Sequence, residues 1–99
     1  MKIPDKLKVA GHTYKVKWDD KGLVKQHLVG NANNDFKEIL LCRHYKSKRA
    51  RAKSELEETF LHEVLHVIDR HYNNDSLTEK VIGRLSQGLY QVLKDNFKF

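Results

Sequence analysis

Alternating apolar and polar positions open the chain. Lys6-Leu7-Lys8-Val9 and Thr13-Tyr14-Lys15-Val16-Lys17-Trp18 each send every second side chain to one face, and Ala10-Gly11 between them supplies a turn. This pattern predicts a β-hairpin with one wet face. Asp19-Asp20-Lys21-Gly22 reads as a second turn, residues 26–32 as a weaker strand, and Asn33-Asn34-Asp35 as a third turn. Lys37-Glu38-Ile39-Leu40-Leu41-Cys42 is the strongest strand after the hairpin. Three to four antiparallel strands are therefore expected before any long helix.

The period then changes from two to about 3.6. Leu56, Phe60, Leu61, Val64, Leu65 and Ile68 recur at helical spacing behind Ser54-x-x-Glu57, the pattern of a capping box. They predict a helix over residues 54–72, starting somewhat earlier if residues 46–53 join it, and broken by Asn73-Asn74-Asp75. A second helix is expected from residue 76 to about residues 94–96, burying Leu77, Val81, Ile82, Leu85, Leu89, Val92 and Leu93. Strands followed by helices give an α+β fold: an antiparallel sheet, then two long helices packed on it and on each other. The 99 residues suffice for a single domain with one modest core.

The first long helix carries candidate chemistry. His62-Glu63-Val64-Leu65-His66 is the His-Glu-x-x-His pattern of zinc peptidases. Residues four apart on a helix differ by about 40° in direction and about 6 Å in height, so both imidazoles can grip one ion. Glu63, directly after the first donor, is placed to take a proton from a water whose pKa zinc has lowered. The expected metal donors are thus His62 and His66, with Glu63 catalytic.

A catalytic zinc site usually has three protein donors, so one more is needed. His71 lies about 140° round the helix from His66 and points away. Asp75, in the interhelix turn, is a fallback. Glu79, in the first turn of the second helix, is the better candidate, and Gly83 one turn later would let that helix come close. Ser76-x-x-Glu79 also has capping-box spacing, which offers Glu79 a purely structural use.

Charge adds a second feature. The net charge is +6, and Arg43, Lys46, Lys48, Arg49, Arg51 and Lys53 fall in a stretch free of acids. Segment 43–53 suits a solvated loop, or contact with nucleic acid or an acidic protein partner. Hydrophobic residues make up 39% and charged residues 32%, which suits a folded chain rather than a disordered one. No apolar run approaches the roughly 20 residues of a membrane span, so no membrane role is expected. No secretory leader is visible and Cys42 is alone, which makes the cytoplasm the expected compartment. Cys42 itself fits a small core residue.

On these residues the chain resembles the gluzincins, zincins whose third ligand is a glutamate. In layout it is similar to the small members called minigluzincins, and to phage-associated ImmA/IrrE-like metallopeptidases. The resemblance implies zinc held by His62, His66 and Glu79, Glu63 as general base and acid, and a peptide or protein substrate. Larger gluzincins carry an acid four residues after the glutamate ligand, where this chain has Gly83, which leaves Asp69 to orient a ligand histidine. Tyr72, His71 and Tyr90 are the nearby candidates for stabilising an oxyanion. The strand at residues 37–42 is expected to align substrate as an exposed edge. Phe97-Lys98-Phe99 could cover the cleft and hold the enzyme latent.

Overall fold

The structure is a computed structural model that describes residues 2–45 and 47–97. Lys46 of the basic stretch, and Lys98 and Phe99 of the proposed covering tail, lie outside the described residues. The fold is α+β. Strands β1 (Lys6–Val9) and β2 (His12–Trp18) are followed by helix α1 (Asp20–Lys25), strands β3 (Gly30–Asn33) and β4 (Glu38–Leu41), and helices α2 (Lys53–Tyr72) and α3 (Glu79–Asn96).

The first hairpin forms as its pattern predicts, with Leu7 opposite Tyr14 and Val9 opposite His12. Ala10 and Gly11 both take positive φ, 52° and 78°, as a two-residue turn matched to strand twist requires. Tyr14 and Val16 are buried while Thr13, Lys15 and Lys17 are exposed, so one face of the sheet is dry and the other wet.

The sheet is mixed, not purely antiparallel. Its order is β1-β2-β4-β3, with β4 parallel to β2 and antiparallel to β3. A parallel neighbour needs a crossover of a dozen residues or more, and the segment holding α1 and β3 supplies it. Residues 19–22, read as a turn, instead start α1: the Asp19 carboxylate accepts from Gly22 N at 3.0 Å and caps the helix. Leu23 is then fully buried. The strand expected over 26–32 is confined to Gly30–Asn33.

Both long helices start elsewhere than their capping patterns suggest. In α2 the Glu55 carboxylate accepts from Ala52 N at 3.1 Å, so the cap lies two residues ahead of Ser54. In α3 the Thr78 side chain caps Val81 N at 3.2 Å, which frees Glu79 from the cap role that Ser76 would have given it.

The main core joins Val9, Tyr14, Val16, Ile39 and Leu41 of the sheet to Phe60 and Val67 of α2. The buried face of α3 differs from the expected stripe. Ile82, Ser86 and Tyr90 are buried, whereas Leu85, Leu89 and Val92 are exposed, as is Ile68 on α2. Helical periodicity identifies an apolar stripe, but α3 is turned so that its more polar 82-86-90 row meets α2. No helix among the described residues is long and apolar enough to cross a membrane.

This orientation is measurable by unfolding. Ile39→Ala, at a site with no exposed surface, should cost about 2–5 kcal/mol. Leu85→Ala, half exposed, should stay within about 0.5 kcal/mol of wild type in urea denaturation.

Candidate metal centre

Helix α2 places the imidazoles of His62 and His66 one turn apart, with ring centroids 4.9 Å apart and Nε2 atoms 3.2 Å apart. Helix α3 runs back along α2. Tyr90 donates to the Glu57 carboxylate at 2.8 Å near one end, and Glu79 reaches the histidines at the other. Glu79 Oε1 lies 2.6 Å from His62 Nε2, and Oε2 lies 2.6 Å from His66 Nε2. These three side chains form a candidate metal-binding group among the described residues.

The donor chemistry fits a divalent metal. Two imidazoles and a carboxylate are a common catalytic zinc set, and they leave a tetrahedral ion one open position. A bare imidazole nitrogen and a carboxylate oxygen 2.6 Å apart repel unless a cation lies between them. A proton or a metal ion relieves that conflict, and the two Nε2 atoms facing one carboxylate suit a shared ion. No family model, curated protein or solved structure matches the chain.

A cleft of about 360 Å³ opens at this group, lined by residues 27–30 ahead of and into β3, by α2 and by α3. Glu63 is buried in its wall and His62 and Glu79 also face it. Burial, with a smaller contribution from the Glu79 charge, pushes the Glu63 pKa up to about 8. The wall is tight at Gly30, where an added Cβ would meet Thr59 Cγ2 at 2.6 Å and Glu63 Oε2 at 2.9 Å. The crowded glycine is thus Gly30 rather than Gly83, where a Cβ would sit at an ordinary 3.8 Å from His62 Cε1.

Ser86 was not evident from the sequence. Its hydroxyl donates to Gly83 O at 3.0 Å, which leaves its lone pairs facing His62 Nδ1 at 3.5 Å. An Nδ1–H aimed there leaves the Nε2 lone pair for a metal, the usual task of an outer partner to a ligating histidine. The signal was its spacing: Ser86 lies seven residues after Glu79, two turns along one face.

Asp69 does not orient a ligand histidine, nor is it a solvated helix-end acid. It is buried and accepts from Asn73 Nδ2 at 2.9 Å and Leu77 N at 3.3 Å, clamping the turn between the helices. Asp75 pairs with Arg70 at 2.8 Å. His71 bonds Tyr14 OH at 2.7 Å and stacks on His12, and Tyr72 is exposed. None of these residues lines the metal cleft, and neither does Tyr90.

Arg51 also departs from expectation. It is buried rather than solvated, with Nη1 donating to Cys42 O at 2.8 Å and Nη2 to Thr59 Oγ1 at 2.6 Å. It ties the end of β4 to α2 just behind Glu63. Cys42 is buried as expected, its thiol donating to His44 O at 2.8 Å.

Purified chain should hold one equivalent of zinc, measured by elemental analysis, and lose it in His66→Ala and Glu79→Ala. Ser86→Ala should keep the stoichiometry with roughly 10–100-fold weaker affinity. In the metal-free chain, Glu63 binds its proton more tightly folded than unfolded. Its contribution to stability is full below about pH 4.5 and lost as pH rises through about 8. Glu63→Gln should therefore flatten the fall of the urea midpoint between pH 5 and pH 9, measured with chelator present.

Proposed function

We propose that this chain is a zinc-dependent peptidase of the gluzincin type, with His62, His66 and Glu79 as ligands. The observation that carries the reading is the convergence of the three donors beside a buried glutamate in one open cleft. Zinc bound there supplies a Lewis acid that polarises a carbonyl and lowers the pKa of water.

Glu63 is the proton carrier. It takes the proton of the attacking water and hands it to the departing amine nitrogen. Its surroundings suit this task, because a dry wall makes its carboxylate a stronger base than an exposed one. A cation held by the neighbouring ligands would favour the ionised form that accepts the proton. Arg51 and Thr59 fix the helix behind it, and Gly30 lets the sheet close against it without a side chain in between.

The strand that would align substrate is β3. β4 is internal to the sheet, between β2 and β3, whereas β3 has one unpaired edge and begins in the cleft wall. An extended peptide added along that edge would gain main-chain hydrogen bonds while its carbonyl faces the metal ligands. The substrate is thus expected to be an unstructured segment rather than a helix.

Glu63→Gln is the decisive variant. It should keep one equivalent of zinc while turnover of a peptide library falls at least about 10²-fold, the usual contribution of a general base. Unchanged turnover in that variant would remove Glu63 from the chemistry and with it this reading.

A further inference from the structure

A second concave site lies away from the metal cleft and shares no lining residue with it. It is a groove of about 630 Å³ between α1 and the turn that follows β4, lined by Asp20, Lys21, Val24, Lys25, His44, Tyr45 and Lys48. Val24 and Tyr45 are half-buried and give it an apolar floor. Lys21 and Lys25, one turn apart on α1, form one exposed cationic rim; Lys48 forms the other. Arg49 follows Lys48 outside the groove lining, its exposed guanidinium over the Tyr45 ring at 4.4 Å from the centroid.

The rims are held in place. Lys48 N donates to Tyr45 O and Tyr45 N to Arg49 O, both at 2.8 Å, which closes the turn carrying Lys48. The turn is fastened to α1 through Asp20, whose carboxylate accepts Arg43 N at 2.6 Å and engages His44 Nδ1 at 2.7 Å. Asp20, the one acid among the described residues lining the groove, is thereby committed to its walls rather than opposing an incoming anion.

From this arrangement we infer that the groove binds single-stranded nucleic acid, with a base against Val24 and Tyr45 and the flanking phosphates on Lys21, Lys25, Lys48 and Arg49. Cations on two rims match a charged backbone, and an apolar, aromatic floor between them matches a base face. An acidic peptide would use the rims and leave the floor empty. A duplex would present phosphates but keep its base faces stacked inside. The groove is separate from the metal cleft, with no lining residue in common among the described residues.

The test is fluorescence anisotropy of a labelled oligothymidylate titrated with the full chain at several salt concentrations. Four phosphate contacts predict a slope of log K against log salt of roughly −3 for a single strand. Removing the three rim lysines together (K21A, K25A and K48A) should weaken binding at least tenfold at low salt and flatten the slope by about 2. Tyr45→Ala should weaken binding roughly tenfold and Tyr45→Phe should not, since the ring and not the hydroxyl is the floor. A control set with the same charge change on the hairpin (K6A, K8A and K15A) should alter binding little.

Four results would each overturn the inference. One is no salt-dependent binding. Another is equal loss from both lysine sets, which would mean diffuse attraction. A third is tighter binding of duplex than of single strand. The last is competition by polyglutamate at equal charge together with indifference to Tyr45→Ala, which would assign the groove to an acidic protein. Unfolding midpoints near wild type for each variant keep a folding defect from imitating a loss of binding.

Discussion

The Glu79 carboxylate lying across two imidazoles is the interaction on which the site depends. It joins the first turn of α3 to the middle of α2, and each of its oxygens meets one histidine at 2.6 Å. Such a convergence is unfavourable between bare lone pairs and is relieved by a proton or a metal ion between them. Packing brings the two helices together. Ile82, Ser86 and Tyr90 seat α3 on α2, and Asp69 clamps the turn that reverses the chain. The fold thus spends ordinary helix packing on holding a polar cluster at a cleft.

A second constraint works from behind. Arg51 brings its guanidinium into the interior and satisfies the carbonyl of Cys42 and the hydroxyl of Thr59 on either side of it. The hydrogen bonds of its two Nη atoms offset the burial of that charge while Nε goes unpaired among the described residues, and breaking them would leave the charge stranded. Thr59 in turn lies against Gly30, so the sheet edge, the arginine and the motif helix are packed as one block beside Glu63.

Charge is sorted in space as well. Glu58, Glu63 and Glu79 line the metal cleft, while Lys21, Lys25 and Lys48 line the groove. The segment from α1 into β3 passes between them, Val24 and Lys25 facing the groove and residues 27–30 the cleft. A histidine–carboxylate cluster and a lysine-rimmed groove are thus kept apart in a chain of 99 residues, so their fields do not cancel each other.

The sequence by itself determined the features that local chemistry dictates. Alternation in residues 6–18 requires a hairpin with one wet face, and helical spacing around His62 and His66 requires one face to carry both imidazoles. Glu79 was legible as the carboxylate that the start of the next helix brings to the two histidines, because a third group was sought there. Strand order was not, because the apolar run that makes β4 a strand is silent about which neighbour it pairs with, and the parallel pairing arises from a crossover. The rotation of α3 was equally hidden: Leu85, Leu89 and Val92 look like a core, but the 82-86-90 row is the one that packs inward. Arg51 and Arg49 are near neighbours in sequence, yet one is buried and the other lies at the surface, since burial depends on which carbonyls the fold brings within reach. Spacing along the chain fixes what neighbours can share; only three-dimensional packing decides which distant groups meet.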